Sequence, residues 1–213
     1  SDSYDILYFY FSQVFIYSLF IKHPFKVMMC HDIISQKFGR SHIFQLPWIK
    51  TGERKLLKSS NLNLTFSQKD SDILKSKLNI ESAPVKFYLK NVAPVQSGLS
   101  VEPNVFCFYG AWNRKENYET LDWFIKKVLP CINDDVCFRI IGGGLSESYK
   151  QKLSNIKQFE YMGFVDNPLI EIAKCQALIA PLIHGAGVKV KVIDALTSGT
   201  KVLGKDVAFE GIT

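Results

Sequence analysis

A glycine loop followed by two lysines and an aspartate is the part of the sequence best suited to chemistry. Gly185 and Gly187 permit positive φ and a close approach of the backbone to a ligand. Lys189 and Lys191 add positive charge at the start of a predicted helix, where free amides already favour anions. Asp194, one turn further on, can accept hydrogen bonds from a pair of sugar hydroxyls, as the acidic residue of a dinucleotide fold does. The pattern therefore favours a sugar-nucleotide site, and a strand–loop–helix unit with a solvated basic face is the alternative.

Local patterns predict the elements that would position these residues. The apolar run at residues 177–181 is typical of a buried strand, and residues 190–197 carry apolar side chains at helical spacing. Lys191 and Asp194, at positions i and i+3, share the other side of that helix. Gly199 lies where a glycine commonly ends a helix, and a further strand follows it.

Composition places the 213-residue chain among globular proteins with one large or two small domains. Hydrophobic residues make up 47% and aromatic residues 13%, which argues against disorder. The net charge of +6 suits phosphorylated ligands or an anionic membrane, but the lysines are scattered and no nucleic-acid signature occurs. We therefore expect no nucleic-acid partner and at most peripheral contact with an anionic membrane.

The cysteines and the longest apolar stretch indicate a cytoplasmic protein. The five cysteines are odd in number, form no CxxC pair and lack metal-ligand spacing. Most lie in or beside apolar runs, which suits buried free thiols in a reducing compartment. Residues 6–21 are short for a membrane span and no signal cleavage site follows them, so they are predicted to form a strand and a buried helix.

Strands alternate with helices in the first block of the chain. Strands are predicted at 6–11, 26–30, 62–66 and 85–89, helices at 12–21, 52–58 and 72–78, and an irregular segment at 39–51. Ser67 is the expected N-cap of the third helix. His31 follows the second strand, at the end of the sheet where open α/β proteins bind ligands. It is predicted either to face a ligand or to be a structural histidine paired with Asp32.

A second block of the same kind begins after a stretch rich in proline and glycine. Strands are predicted at 105–109, 136–141, 159–165 and 177–181, and helices at 117–128, 146–153, 168–175 and 190–197. Asn117 is the expected N-cap of the first of these helices. The alternation predicts an α/β protein with parallel sheets, in domains at residues 1–92 and 105–213 that a linker at 93–104 joins.

Motifs in the second block resemble the donor-binding domain of GT-B glycosyltransferases, specifically the large retaining family 4. The matching segments are Phe108-Tyr-Gly110, the helix between Asn117 and Pro130, Phe138-Arg-Ile-Ile-Gly-Gly-Gly144, Tyr161-Met-Gly-Phe-Val165 and Gly185-Ala-Gly-Val-Lys-Val-Lys-Val-Ile-Asp-Ala195. In the first block, Val27-Met-Met-Cys-His-Asp32 and the segment from Glu53 to Asp70 resemble the family's acceptor domain. The family's opening strands and closing helices have no counterpart, so the resemblance predicts a chain that is incomplete at both ends, with a truncated N-terminal domain.

The resemblance implies two Rossmann-like domains that transfer a sugar from a nucleoside diphosphate sugar with retention and without a metal or other cofactor. It implies a glycan or lipid-linked acceptor in bacterial surface polysaccharide or lipopolysaccharide synthesis, at the inner face of the plasma membrane. Two other hypotheses stay open at this point. One is a non-catalytic nucleotide-sugar-binding module that needs a partner chain, and the other is a GT-B-fold sugar-nucleotide epimerase.

The resemblance also implies roles for individual residues. Asp194 would bind the ribose hydroxyls in place of the usual glutamate, and Lys189 and Lys191 would compensate phosphate charge. His31 and His184 are the predicted catalytic residues. The other predicted donor-binding residues are Gly110, Arg114, Lys115, Gly143, Val165, Gly185, Ala186, Gly187 and Val188.

The sequence departs from the family pattern at the positions that usually carry charge. Ala186 stands where an acidic residue is typical, eight positions before the ribose-binding residue. Ala111 and Glu116 stand where an arginine and a lysine are common, and Arg114 and Lys115 are the neighbouring candidates to replace them.

Overall fold

Short apolar runs form the strands of two parallel sheets, each in its own unit of the protein. The structure is a computed structural model that describes residues 4–39, 43–85, 98–183 and 187–212. The first unit comprises the described residues up to 85 with 187–188 and 210–212, and the second comprises 98–183 and 189–209. The two parallel sheets confirm the predicted α/β class. Residues 93–97 of the predicted linker lie outside the described residues, so the domain boundaries stay a prediction.

The first unit is built on a four-stranded sheet in the order β1-β2-β3-β4, with every pair parallel. Its strands are β1 (Leu7–Phe9), β2 (Lys26–Cys30), β3 (Leu62–Thr65) and β4 (Ala83–Pro84). Its helices are α1 (Ile34–Gly39), α2 (Leu46–Leu57) and α3 (Gln68–Ile73), with a π-helical turn at Leu74–Leu78. Met28, Ile33, Leu57 and Leu74 form the centre of its core. The predicted strand at 85–89 is described only at Val85, whose amide donates to the Thr65 carbonyl oxygen at 2.8 Å.

The apolar segment after β1 is not the buried helix that the sequence predicted. Residues Ser12–Leu19 form a 3₁₀ helix in which only Ser12, Phe15 and Ser18 are buried. A 3₁₀ helix has three residues per turn, so every third side chain faces the sheet and the others do not. Phe20, which follows the helix, is 79% exposed. In the part of the chain that the structure describes, no helix is long and apolar enough to cross a membrane.

The segment at residues 39–51 is also more regular than predicted. A 3₁₀ turn at Ile43–Gln45 leads directly into α2, which therefore begins six residues before the predicted start at Gly52. The misleading signal was Pro47, which lies in the first turn of the helix. Proline is tolerated there because the amides of the first turn have no acceptor within the helix.

The second unit carries a five-stranded parallel sheet in the order β7-β6-β5-β8-β9. Its strands are β5 (Val105–Tyr109), β6 (Cys137–Ile141), β7 (Phe159–Gly163), β8 (Ala177–Ala180) and β9 (Lys201–Gly204). Its helices are α4 (Lys115–Lys127), α5 (Glu147–Ser154), α6 (Pro168–Ala173) and α7 (Val190–Thr197). The chain adds strands outward from β5 to β7 and then resumes at β8 on the other side of β5. The carboxyl ends of β5 and β8 therefore form the topological switch point, where open α/β sheets bind ligands.

Aromatic side chains fill the core on one face of this sheet. The ring of Phe124 on α4 meets Phe108 at 4.9 Å and Phe138 at 5.0 Å between centroids, both near edge-to-face. Leu153 on α5 belongs to the same buried cluster, so α4 and α5 cover the same face. Edge-to-face pairs stabilise a core beyond the effect of burial alone.

The start of α4 corrects one prediction. The helix begins at Lys115, and its N-cap is Arg114, which has extended backbone and makes no side-chain capping bond. Asn117, the predicted cap, lies buried within the first turn. The side-chain amide of Asn117 therefore bonds groups outside its own helix, and these bonds belong to the candidate site.

Candidate functional site

The site is built from the loops after β5 and β8 and from α7. Lys189 is the N-cap of α7 with extended backbone, and its own side chain makes no capping hydrogen bond. Positive partial charge is thus concentrated at the start of α7, beside the switch point. At the other end, Ser198 is the C-cap and Gly199 has φ +78°, which confirms the predicted end of the helix.

Lys191 extends its ammonium group from α7 to the carboxyl end of β5. Its Nζ donates a hydrogen bond to Asn117 Oδ1 at 2.8 Å, and Asn117 Nδ2 donates to the Ala111 carbonyl oxygen at 2.7 Å. Burial lowers the pKa of Lys191 to about 8, and the positive charges of Arg114 and Lys189 add to the effect. Within the described ranges, no ion pair between Lys191 and a carboxylate is found. The ammonium is therefore poised to receive an anion.

Gly110 leaves the space that this arrangement needs. A Cβ atom at Gly110 would lie 2.9 Å from Asn117 Nδ2 and 3.2 Å from Lys191 Nζ. Both distances are shorter than ordinary contact, so a larger residue would displace one of the two side chains. Gly110 therefore leaves room for the Lys191 side chain, and its predicted role in donor binding stays a prediction.

Asp194 lies one turn beyond Lys191 on α7 and is half-buried. Burial raises the pKa of its carboxyl group, and in turn the Asp194 charge contributes to a raised pKa of Tyr109 at the end of β5. In the described part of the protein, no donor forms a hydrogen bond with the Asp194 carboxylate. A desolvated carboxylate with open acceptor sites is suited to a pair of hydroxyl donors.

The triple glycine after β6 serves packing. Gly142 has φ +111°, and a Cβ atom there would lie 2.1 Å from the Gly110 carbonyl oxygen. Trp112 connects the loop after β5 to the loop after β6. Its indole N–H donates to the Ile141 carbonyl oxygen at 2.9 Å, and its backbone amide donates to the Gly143 carbonyl oxygen at 2.8 Å. The nearest side-chain atom to a Cβ atom at Gly143 would be Phe164 Cβ at 3.7 Å. Gly142 therefore permits the contact between the β5 and β6 loops, and the donor-binding role of Gly143 stays a prediction.

Of the other predicted donor-binding residues, Arg114 lies near Lys191, and no contact joins Lys115 or Val165 to that lysine among the described residues. Arg114 and Lys115 are exposed at the start of α4, and Lys115 forms an ion pair with Glu119 at 3.6 Å. Arg114 acts on Lys191 through its charge. Val165 is half-buried beyond β7, next to the exposed Phe164.

Within the predicted loop, the structure describes Gly187 and Val188 but not its beginning. Gly187 is buried with φ +68° and Val188 is half-buried, and both group with the first unit. His184, Gly185 and Ala186 lie outside the described residues, so their predicted roles stay predictions.

His31, the catalytic candidate of the first unit, lies at the carboxyl end of β2 among aromatic rings. Its ring stacks on Phe11 at 4.3 Å and meets Tyr10 at 4.5 Å and Phe66 at 4.8 Å edge-on. Burial lowers the pKa of His31, against the opposing charge of Asp32 and a hydrogen bond to the Tyr10 backbone. Its Nε2 is buried and has no hydrogen-bond partner. An imidazole held by rings with one open nitrogen can bond a ligand there.

Glu53, which belongs to the motif resembling the acceptor domain, has a structural role within the first unit. Its carboxylate oxygens accept hydrogen bonds from the backbone amides of Ile34 at 2.7 Å and Ser35 at 2.9 Å. Glu53 is only 7% exposed and so caps α1 from α2. No local sequence pattern indicates this role, because the carboxylate and the amides are 18 and 19 residues apart.

The described residues contain no group of three or more His, Cys, Asp or Glu side chains arranged to hold a metal ion. Metal independence stays a prediction, since three residues of the candidate loop are not described.

Solved structures share this fold at low sequence identity. HepE from Anabaena, in complex with UDP, is 15% identical with a TM-score of 0.68, covering 97% of this chain and 62% of that one. A mutant of TarM from S. aureus, in complex with fondaparinux, alpha-GlcNAc-glycerol and UDP, is 12% identical with a TM-score of 0.70, covering 92% and 40%. WaaG, a glycosyltransferase involved in lipopolysaccharide biosynthesis, is 11% identical with a TM-score of 0.64, covering 87% and 60%. No curated protein matches the sequence significantly.

The parallel sheets and these structural neighbours define an α/β protein of the GT-B type. Residues 103–213, just over half of the chain, match the family described as Glycosyl transferases group 1. The chain belongs to that family. It spans about three-fifths of the HepE and WaaG chains and two-fifths of the TarM chain.

Proposed function

We propose that the protein is a glycosyltransferase whose second unit binds a nucleoside diphosphate sugar. The supporting observation is the pair formed by Lys191 and Asp194 on α7, beside the switch point of the sheet. In the described part of the chain, the cation has no carboxylate partner and the carboxylate has no donor. A diphosphate and a ribose carry the complementary groups in one molecule.

Sugar transfer leaves the bonding electron pair on the diphosphate, so negative charge grows on its terminal oxygen. The Lys191 ammonium and the amides at the start of α7 are positive groups already in place before the reaction. Such preorganised groups stabilise a developing charge more effectively than water, which must reorient. In this proposal the protein itself supplies the compensating charge, and the donor requires no metal ion.

Asp194 would accept hydrogen bonds from the ribose hydroxyls and so set the direction of the nucleotide. With the diphosphate at the start of α7 and the ribose one turn along the helix, the transferred sugar would lie on the other side of the diphosphate from the ribose. UDP bound to HepE and to TarM supports a uridine nucleotide as the first donor to test.

We extend the proposal to retention of configuration and to a glycan or lipid-linked acceptor in surface polysaccharide synthesis. The resemblance to family 4 supports retention, and the likeness to WaaG supports the pathway. His31 and His184 stay the predicted catalytic residues, and the buried Nε2 of His31, which has no hydrogen-bond partner, supports a ligand-binding role for that ring. The free cysteines support a reducing cytoplasm, and the net charge of +6 supports contact with the anionic inner face of the plasma membrane.

Titration calorimetry on the full 213-residue chain with UDP and with GDP tests donor binding. We expect saturable binding of one of the two, weakened at least about tenfold in Lys191→Met, because a charged hydrogen bond is worth roughly 1.5–3 kcal/mol. Lys150→Met is a matched control, because Lys150 pairs with Glu147 on α5, away from the site. A folded chain that binds neither nucleotide would contradict the proposal. Binding without any sugar transfer to glycan or lipid-linked acceptors would favour the non-catalytic module.

A further inference from the structure

Asn117 connects the loop after β5 to the lysine of α7. Its side chain is buried, and both ends of its amide are used: the oxygen accepts from Lys191 Nζ at 2.8 Å and the nitrogen donates to the Ala111 carbonyl at 2.7 Å. An ammonium can only donate and a carbonyl can only accept, so the network admits one orientation of the amide. Asn117 thereby fixes the end of a long and otherwise flexible side chain.

The charged groups around Lys191 explain why a neutral partner matters. Arg114 and Lys189 face the ammonium as positive charges, and Glu116 faces it as a negative charge. Among the described residues, only Asn117 accepts a hydrogen bond from Nζ. The ammonium carries three donor hydrogens, so two have no acceptor among the described residues. A carboxylate at residue 117 would orient the lysine equally well but would neutralise it.

We propose that Asn117 is a positioning residue that holds the Lys191 ammonium at the carboxyl end of β5 without neutralising it, so that the full charge meets the donor diphosphate. The inference rests on the proposed function, because it assigns the diphosphate as the occupant. It also accounts for the departures at Ala111 and Glu116. In this proposal Lys191 on α7 supplies the cation that these positions lack, and the absence of a side chain at Gly110 leaves room for its ammonium group.

The protonation of Lys191 provides a readout that a purely structural role would not move. The pKa of Lys191 is lowered to about 8, and only the charged amine attracts a diphosphate. Affinity for the nucleotide should therefore be highest below pH 8 and should fall as the pH rises through that value. A carboxylate at position 117 favours the charged amine and moves this fall to higher pH.

The test is nucleotide calorimetry from pH 6.5 to 9.5 on the full chain, with Asn117→Asp, Asn117→Ala, Lys191→Met and the double variant Asn117→Asp/Lys191→Met. We expect Asn117→Asp to weaken binding about tenfold at pH 7 and to shift the pH at which affinity falls upward. Asn117→Ala should weaken binding severalfold and keep the fall near pH 8. Thr120→Ala is the matched control, because Thr120 is buried one turn further along α4 and its hydroxyl donates to the Glu116 carbonyl oxygen of the same helix.

The double variant separates coupling from general damage. If Asn117 acts through Lys191, Asn117→Asp should cause no further loss in the Lys191→Met background. Equal losses with and without Lys191, or an unshifted pH profile in a folded Asn117→Asp chain, would overturn the inference while donor binding stands. A folded wild-type chain that binds neither UDP nor GDP would overturn the proposed function, and this inference with it. Thermal unfolding of every variant identifies any that fail to fold, and Asn117→Ala then takes the place of Asn117→Asp.

Discussion

Each unit contains a carboxylate that is at least partly buried, and the two carboxylates differ in their hydrogen bonding. Glu53 in the first unit is 7% exposed and accepts two hydrogen bonds from the start of α1. Asp194 in the second unit is half-buried, and burial raises the pKa of its carboxyl group. No donor among the described residues bonds it. The same chemical group thus completes a helix in one unit and is left open in the other.

The difference separates a structural carboxylate from one that we propose to bind a ligand. A buried carboxylate with its hydrogen bonds made contributes to folding, and its removal leaves amides without acceptors. A desolvated carboxylate without donors is unfavourable to folding and is retained where a ligand supplies the donors. Sequence motifs do not distinguish the two cases, because both residues belong to segments that resemble one family.

The largest effect should come from Glu53→Gln. The amide retains one acceptor oxygen and turns its NH₂ group toward the other backbone amide, so one buried N–H loses its partner. We expect the free energy of unfolding to fall by roughly 2–3 kcal/mol, measured by urea denaturation. Glu81→Gln is the control, because the Glu81 side chain forms an exposed ion pair with Lys75. Equal urea midpoints for Glu53→Gln and wild type would remove the structural role.

The second effect is on binding. Asp194→Ala removes the acceptor proposed for the ribose hydroxyls, and charged hydrogen bonds are worth roughly 1.5–3 kcal/mol each. We expect nucleotide affinity in calorimetry to fall about ten- to a hundredfold while the circular dichroism spectrum is unchanged. Unchanged affinity in a folded Asp194→Ala chain would place the ribose elsewhere.

A smaller loss of stability is expected from Ser67→Ala. Ser67 caps α3 as predicted, because its Oγ accepts from the Asp70 amide at 3.1 Å and donates to Asp70 Oδ2 at 2.8 Å. Loss of an N-cap costs about 1 kcal/mol. Urea denaturation should place this variant between Glu53→Gln and wild type, and nucleotide affinity should not change. An equal or larger loss than in Glu53→Gln would reverse the ranking.

The smallest effect has the opposite sign. Because burial raises the pKa of Asp194, the folded protein holds that proton more tightly than the unfolded chain. Wild-type stability therefore decreases as pH rises from the unfolded pKa through the folded one. Asp194→Asn should be more stable than wild type at pH 7, by less than about 1 kcal/mol because water screens the half-exposed group. The gain should vanish near pH 3, and a variant less stable than wild type at pH 7 would refute the comparison.

Much of the second unit could be predicted from local sequence. The strand at Val105–Tyr109 and the helix at Val190–Thr197 occur within their predicted bounds, because short apolar runs and helical spacing are local signals. The errors fall where local signals conflict. Pro47 indicated an irregular segment but lies in the first turn of α2. The apolar segment predicted to be a buried helix is a 3₁₀ helix with one buried face.

The sequence by itself determined which residues could bind a nucleotide: a lysine and an aspartate at i and i+3 on one helix, after a glycine loop. Only the tertiary structure decided which residue from another part of the chain bonds that lysine. Lys191 and Asn117 are 74 residues apart and meet because β5 and β8 are neighbours at the switch point. Glu53 belongs to a segment that resembles the acceptor domain of the family, and it caps a helix because α2 lies beside the start of α1. Strand order and helix packing are long-range properties, and no local pattern of side chains encodes them.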